Sequence, residues 1–328
     1  MKPEEFKKIR EIRSEQVLLS MARKPESRTI FCGAWDGAVY PFDVSEEKPA
    51  PKPMEQHSGY VTGVAISDDV MVSGAYDKSL TWWDYEKRES IQSFKAHDKW
   101  VRGVEISSDG KLVASVADDM VCRLWNVRSR KLVRELKGHE SLTPTHFNSM
   151  LYCCAFAPDG LHLATADKVG HVVVWEVATG KQVKSFEAPV FYTWDPRARR
   201  HSIGGIRSLA FSPDGAKLAV GGMGKVGNID HLGGKARVEL FNWEKGEKLG
   251  ECESGKFKGL VERLAWHPEG DWILAGGGDH KGYLIFISPD GKKTLSEEQL
   301  STHVHDFSLS KGADRIVTVG HQRIEIWG

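Results

Sequence analysis

A repeated pattern constrains the fold of this chain more than any other feature. The segment HSGYVTGVAIS at 57–67 aligns with HDKWVRGVEIS at 97–107, and each continues through a second apolar strand and an Asp turn to an aromatic–acid ending. Further copies, some of them weaker, lie at 17–44, 155–177, 209–222, 264–287 and 307–327. A period near ~40 residues, filled with short alternating strands, predicts a repeat architecture built from small sheets.

Each copy ends its third strand on a Trp or a Phe, namely Phe42, Trp83, Trp125, Trp175, Phe241, Phe286 and Trp327. The period, the Trp-Asp-like endings and the four short strands per unit resemble the WD40-repeat family over nearly the whole length. The resemblance implies an all-β fold, a seven-bladed WD40 β-propeller in which each blade is a four-stranded antiparallel sheet. It also implies a single domain over residues 1–328. We letter the strands of a blade a to d.

Two repeats carry a further mark of the family, a His, Ser, Asp and Trp tetrad. The complete sets are His57, Ser73, Asp77 and Trp83, and His97, Ser115, Asp119 and Trp125. A partly buried His and Asp must be hydrogen-bonded, and a linked network satisfies both, so we interpret the tetrads as structural rather than catalytic. Repeat 4 keeps His139, Thr165 and Trp175 but has Val169 at the expected Asp position, and repeats 5 to 7 lack the set.

The N-terminal segment is predicted to complete the last blade. KIREIRS at 8–14 resembles the d-strand segment KLVRELKG at 131–138, whereas the seventh repeat stops at strand c. We therefore expect residues 6–13 to form the outer strand of blade 7 and to close the ring. A short amphipathic helix also fits the spacing of Phe6, Ile9 and Ile12. The strand is favoured because it leaves no sheet edge open at the seam.

Composition narrows the class of function. Among 328 residues, 45 basic side chains balance 45 acidic ones, which argues against a general nucleic-acid or membrane-surface binder. The N-terminus lacks a secretory signal, and no apolar run is long enough to span a membrane. The five cysteines form no CxxC pair, which fits a reducing compartment. We expect a cytoplasmic, monomeric protein without a membrane partner.

Signatures of catalysis are missing from the sequence. It contains no GxSxG, HExxH, Walker A loop or paired CxxC, so we expect no enzymatic activity, no cofactor and no metal. In the WD40 family, function usually lies on the top face, where the d–a and b–c loops emerge. Unusual residues in those loops are therefore the candidates for binding.

Four aromatic residues occupy loop positions of this kind. Tyr60 and Trp100 share the position just before strand a, while Trp35 and Tyr76 share the position before the b–c Asp, where repeat 3 has Asp118. A blade needs no aromatic side chain at either position to fold. Large aromatics around a concave mouth can serve as interaction anchors, and the alternative is packing against neighbouring loops.

Three insertions fall on the same kind of loop. They lengthen the connection after His139, the connection before Ile206 and the b–c loop at 223–236, so all are expected on the top face. The largest contains FYTWDPRARRHSIGG, 191–205, whose aromatic content predicts order rather than a floppy linker. Its three arginines cannot all be buried unpaired. Either they brace the loop or they recognise an anion or an acidic peptide.

The sequence therefore favours a non-enzymatic scaffold that binds a protein or peptide partner on the top face. The expected contact residues are Trp35, Tyr60, Tyr76, Trp100, Trp194, Arg197, Arg199, Arg200, His201 and His231. One alternative is a small-ligand, metal-binding or enzymatic propeller with a pocket of His139, His146, Arg199, His201, Asp230 and His231. Another alternative is nucleic-acid binding through the Arg/aromatic loop, which the neutral charge disfavours.

Overall fold

The chain folds almost entirely into β-strands. The structure, a computed structural model, describes residues 1–67, 70–197 and 201–328. Helical conformation within those ranges is confined to two short 3-10 turns, Pro3–Glu5 and Pro189–Phe191. No helix in the described ranges has the length and apolar character needed to cross a membrane. All five cysteines are buried and free of disulfide bonds.

The strands follow the alternating apolar pattern of the repeats. The first twelve are β1 (Lys8–Arg23), β2 (Thr29–Ala34), β3 (Ala38–Asp43), β4 (Met54–Glu55), β5 (Val61–Ile66), β6 (Met71–Ala75), β7 (Ser79–Asp84), β8 (Glu89–Lys95), β9 (Val101–Ile106), β10 (Leu112–Ala117), β11 (Val121–Asn126) and β12 (Leu132–Lys137). The next eight are β13 (Leu151–Phe156), β14 (His162–Asp167), β15 (His171–Glu176), β16 (Gln182–Glu187), β17 (Tyr192–Asp195), β18 (His201–Gly204), β19 (Ile206–Phe211) and β20 (Lys217–Met223). The last eight are β21 (Lys235–Asn242), β22 (Glu247–Lys258), β23 (Leu260–Trp266), β24 (Ile273–Gly278), β25 (Gly282–Ile287), β26 (Thr294–Leu300), β27 (Val304–Leu309) and β28 (Ile316–Trp327).

Two compact units divide the chain. Unit 1 comprises Met1–Leu136 and His305–Gly328, and unit 2 comprises Lys137–Val304. The prediction of one domain over residues 1–328 stays a prediction.

The strands assemble into antiparallel propeller sheets, as the sequence predicts. Five of the sheets have four strands each: blade 2 (β5–β8), blade 3 (β9–β12), blade 4 (β13–β16), blade 5 (β19–β22) and blade 6 (β23–β26). They correspond to repeats 2 to 6, which confirms the all-β propeller class. The pair β17–β18 forms a separate hairpin in the largest insertion.

The two ends of the chain meet in one larger sheet. Its order is β27-β28-β1-β2-β3-β4, and β1 pairs with β28 from Lys8 to Arg13 and with β2 from Leu18 to Arg23. The strand predicted over 6–13 is thus confirmed, and the helical alternative is wrong. Phe6 and Ile12 are buried, at 0% and 2% exposure.

The predicted number of seven separate blades is wrong. The described residues form six propeller sheets, five with four strands and one with six. The reason is the length of β1, a continuous 16-residue strand whose two halves pair with different partners. It joins what the sequence divides into repeats 1 and 7.

Apolar cores lie between the faces of neighbouring sheets within each unit. In unit 1, Leu80 and Trp82 of blade 2 pack with Val104 and Val113 of blade 3. In unit 2, one cluster joins blades 4 and 5 and another joins blades 5 and 6. Because such cores are close-packed, the loops are carried on a rigid frame.

Candidate interaction surfaces

Hydrogen-bonded tetrads fix the base of the loops. In blade 2, His57 Nε2 lies 2.7 Å from Ser73 Oγ, and the Trp83 indole N–H donates to the same Oγ at 2.8 Å. His57 Nδ1 lies 3.2 Å from Asp77 Oδ2. The carboxylate only accepts, so Nδ1 carries the proton and the Ser73 hydroxyl donates to Nε2. These residues form a structural network.

Blade 3 repeats this arrangement. His97 contacts Ser115 Oγ at 2.8 Å and Asp119 at 3.1 Å, and Trp125 donates to Ser115 at 2.9 Å. Burial alone would raise the pKa of Asp119, but bonds from His97 and its positive neighbours hold the pKa well below the usual range. Burial lowers the pKa of His97, and Asp119 offsets only part of that effect.

Blade 4 also has a complete tetrad, which the sequence alignment missed. His139 contacts Asp167 Oδ2 at 2.9 Å and Thr165 Oγ1 at 2.8 Å, and Trp175 donates to Thr165 at 2.8 Å. The carboxylate comes from Asp167, two positions before Val169. Asp167 also accepts backbone N–H bonds within its own turn. The sequence did contain a signal for this residue, since Asp167 is the acidic residue of the blade 4 b–c turn.

Three of the predicted aromatic residues stack on one another in unit 1. The rings of Tyr60 and Tyr76 lie 5.4 Å apart at 25°, and those of Tyr76 and Trp100 lie 4.5 Å apart at 6°. The two outer residues are solvent-exposed, Tyr60 at 46% and Trp100 at 47%. We call Tyr60, Tyr76 and Trp100 the aromatic stack.

A buried ion pair supports the aromatic stack. Arg102 donates to both carboxylate oxygens of Asp118, each at 2.7 Å, and its guanidinium lies 4.9 Å from the Tyr76 ring centroid and 5.4 Å from that of Trp100. Arg102 also bonds to the Tyr76 hydroxyl. The sequence placed Asp118 in the series but missed Arg102, whose position inside strand β9 gave no sign that it reaches the loops.

Trp35 lies outside the aromatic stack. Its indole N–H donates to Gln16 Oε1 at 2.8 Å, and the side chain is 49% exposed. Among the described ring contacts, none joins Trp35 to Tyr60, Tyr76 or Trp100. The structure thus brings together three of the four aromatics and ties the fourth to strand β1.

The largest insertion forms a hairpin in unit 2. Strand β17 pairs with β18 in the register Tyr192↔Gly204 to Asp195↔His201, so the described part of 191–205 is ordered, and Phe191 is buried. Arg197 N–H donates to Asp195 in the turn. The predicted contact residues Arg199 and Arg200 lie outside the described residues.

The hairpin contacts both of the other insertions. Trp194 on the hairpin packs against Phe147 of the insertion after His139, with ring centroids 5.3 Å apart, and His201 meets Phe147 at 6.5 Å. On the other side, the N–H of Val226 in the b–c insertion donates to Thr193 Oγ1 at 3.1 Å. The expectation that all three loops emerge on the top face stays a prediction.

No contact among the described residues joins the histidines of the alternative pocket, His139, His146, His201 and His231, to one another. His139 belongs to the blade 4 tetrad, where its side chain is 1% exposed. His231 contacts Asn228 within its own loop, and His201 contacts Phe147. His139 is therefore not available to bind a ligand in the alternative pocket, because both of its ring nitrogens are already hydrogen-bonded.

Comparison with known proteins adds a family match. The model of "WD domain, G-beta repeat" matches residues 51–84, 88–126, 130–176, 197–226 and 249–284, which together exceed half of the chain. Apart from β4, the terminal sheet lies outside these matches.

Several curated proteins are similar to this chain. Telomerase protein component 1 of Mus musculus is 26% identical over 71% of this chain and 8% of its own length. Apoptotic protease-activating factor 1 of Rattus norvegicus is 29% identical over 48% of this chain and 12% of its own. Guanine nucleotide-binding protein subunit beta of Zea mays is 25% identical over 62% of this chain and 54% of its own. The chain thus spans between a twelfth and about half of these relatives.

Proposed function

Because the chain belongs to the WD40-repeat family, we propose that it is a non-enzymatic scaffold that binds a peptide or protein partner at the aromatic stack. Proteins of this family are typically scaffolds for protein interactions. The observation that carries the proposal is a set of aromatic rings that is both solvent-exposed and held in a fixed geometry.

Exposure and rigidity together favour binding. Tyr60 and Trp100 each leave nearly half of their surface in water, although each could have been replaced by a polar residue without loss of the strand pattern. Aromatic anchors dominate the energetics of protein interfaces, and a ring that is already ordered loses little conformational entropy on binding. Packing against loops explains the middle ring, Tyr76, but leaves the outer two unexplained.

The ion pair between Arg102 and Asp118 stabilises the geometry of the aromatic stack. The paired guanidinium of Arg102 lies against two of the rings, and a cation over an aromatic face contributes about 0.5–2 kcal/mol depending on its exposure. Asp118 neutralises that cation, so the exposed surface of the stack is apolar rather than positive. An apolar or aromatic side chain of the partner is the matching occupant.

A second surface in unit 2 is proposed to take part in recognition. Leu142 and Phe147 are 47% and 40% exposed, and Trp194 and His201 pack beside Phe147. The hairpin braces its neighbours through Tyr192 and Thr193, so bracing and recognition fall on different side chains of one loop. We assign Trp194, Arg197, His201 and His231 to this surface as contact candidates.

Partner capture with matched variants tests the proposal. Trp100→Ala is compared with Leu132→Ala, which removes an equally exposed apolar side chain, 47%, from the outer strand β12. Partners are identified by affinity purification and mass spectrometry, and each is then titrated as a purified protein. We expect Trp100→Ala to weaken binding at least about tenfold and Leu132→Ala to leave it unchanged.

The outcomes of that titration are distinct. Equal binding by both variants would overturn the site. Capture of only a second copy of this chain, seen as a dimer in light scattering, would assign the stack to self-association instead. A cytoplasmic location is part of the proposal, since all five cysteines are free and buried.

A further inference from the structure

Two aligned arginines have different surroundings. Arg102 follows Val101 at the start of β9, and Arg207 follows Ile206 at the start of β19, so they hold the same position in blades 3 and 5. Arg102 is neutralised by Asp118 through two bonds of 2.7 Å. Arg207 takes part in no ion pair among the described residues, and its Nε has no hydrogen-bond partner there although that atom is buried.

An aromatic ring holds Arg207 in place. Its guanidinium carbon lies 3.6 Å from the ring centroid of Tyr152, a residue that is 9% exposed. Stacking of this kind fixes the plane of the guanidinium and leaves its N–H donors available for a ligand. Arg207 itself is half-buried, so its charge is poorly screened by water.

A second basic residue directly follows the strand that pairs with the strand of Tyr152. Lys168 is 7% exposed and occupies the blade 4 position that Asp118 holds in blade 3. The aligned loop position therefore carries a positive charge here instead of a negative one.

Gly205 allows these groups to approach. Its φ is +108°, and a Cβ at this position would lie 2.7 Å from the Tyr152 ring and 3.0 Å from the Lys168 Cα. The aligned residue in blade 3 is Trp100. Any side chain at 205 would separate the strand that carries Arg207 from Tyr152 and Lys168.

Three hydroxyl groups lie together at the base of the hairpin. The Tyr192 hydroxyl lies 3.1 Å from Thr145 Oγ1, which lies 3.1 Å from Thr143 Oγ1. Burial acts to raise the pKa of Tyr192, but hydrogen bonds from neighbouring hydroxyls and the charge of Lys168 lower it overall.

We propose that Arg207, Lys168 and Tyr152 form an anion-binding site that receives an acidic side chain of a peptide partner, either a carboxylate or a phosphate. A partly buried cation without a counter-ion is costly, and an oxyanion that accepts from the planar guanidinium offsets that cost. Glu262, on the first strand of the next blade, lies 3.5 Å from His303. This inference rests on the proposed function, because it takes the anion from a peptide.

The geometry favours a peptide over a nucleic acid. One stacked arginine with one lysine matches a single oxyanion, whereas a nucleic acid needs a row of cations along its backbone. The chain as a whole carries no net charge to attract a polyanion.

Short fluorescent peptides rich in glutamate, phosphoserine or glutamine test the site by fluorescence anisotropy on the full chain. We expect the glutamate or the phosphoserine peptide to bind, the glutamine peptide not to bind, and binding to weaken as salt is raised. Arg207→Met should weaken binding about tenfold or more, and Arg207→Lys less. Lys245→Met, which removes an exposed charge from the β21–β22 turn of unit 2, is the matched control and should bind normally.

Folding of each variant is checked by urea denaturation, and Arg207→Lys carries the test if Arg207→Met does not fold. The site is overturned if neither acidic peptide binds, or if Arg207→Met and Lys245→Met bind alike. Binding of inorganic phosphate alone, or tighter binding of a single-stranded oligonucleotide, also overturns the peptide assignment. Trp100→Ala is titrated only against the purified partner of the aromatic stack, so its outcome is independent of these peptide measurements. A failure of the aromatic stack is thereby separated from a failure of the anion site.

Discussion

Removing the central hydroxyl of the blade 4 tetrad tests whether the network stabilises the fold. Thr165 is fully buried, and its Oγ1 accepts the Trp175 indole N–H and contacts His139 Nε2, both at 2.8 Å. Thr165→Val keeps the shape of the side chain but leaves both of these buried groups without a partner. Each unsatisfied group costs about 1–3 kcal/mol, so we expect a loss of about 2–5 kcal/mol in the free energy of unfolding.

The matched control for this variant is Thr165→Ser. Serine retains the hydroxyl and loses only a buried methyl group, which costs about 1 kcal/mol. Both variants are compared by urea denaturation followed by tryptophan fluorescence, with a further check on the Trp175 indole N–H resonance in NMR spectra. Equal destabilisation by valine and serine would refute the network argument, because loss of the hydroxyl would then cost no more than loss of one buried methyl group.

The same experiment identifies the acid of the tetrad. Asp167 is 1% exposed and bonded to His139 at 2.9 Å, whereas Val169 makes no such contact. We expect Asp167→Asn to lower stability by about 1–3 kcal/mol, because it replaces a charge-assisted bond with a neutral one, and Val169→Ala to cost less. The reverse order would contradict the assignment of Asp167 to the tetrad.

Four further predictions concern other parts of the structure. Asp118→Asn leaves its arginine partner without a counter-ion and should cost about 3 kcal/mol in urea denaturation, while an unchanged midpoint would contradict the ion pair. The pKa of His97 is lowered on folding, so below a pH of about 6.5 the unfolded chain binds more protons than the folded chain. The free energy of unfolding should therefore fall as the pH drops below that value, and a rise would contradict the lowered pKa. Gly205→Ala places a Cβ at a positive φ and 2.7 Å from the Tyr152 ring, whereas Gly215→Ala has a positive φ but open space around the new Cβ. Gly205→Ala should therefore lower the free energy of unfolding more, and equal losses would mean that backbone strain is the only effect. Deletion of 1–13 removes the β1–β28 pairing with two buried apolar side chains and should cost several kcal/mol (about 1.5–3 for each side chain); a protein that melts like the full chain would contradict it.

Features that are local or periodic in sequence could be predicted. The strand at 6–13 resembles the d strand at 131–138, and the structure shows the same burial in both: Ile9 and Val133 are exposed at 52% and 46%, whereas Ile12 and Leu136 are buried. Alternation of this kind depends only on the pleat of a strand, so it can be read without knowledge of its neighbours.

The candidate surfaces were predicted in part. Tyr60, Tyr76 and Trp100 were selected from aligned loop positions, and the structure places them in contact, but Trp35 from the same series is bound elsewhere. The alignment shows which loop position of the repeat a residue occupies, whereas the direction of its side chain depends on the neighbouring blade.

The sequence by itself determined the repeat, the strand pattern, the family and the residues of two tetrads, because each follows from short-range spacing. Only the tertiary structure decided that Asp167 completes the third tetrad and that β1 joins two repeats in one sheet. It also decided that Arg102 is neutralised, while the aligned Arg207 has no counter-ion within the part of the chain that the structure describes. These outcomes depend on which side chains meet across sheets and turns, and the charge at a contact is set by residues that are distant in the sequence.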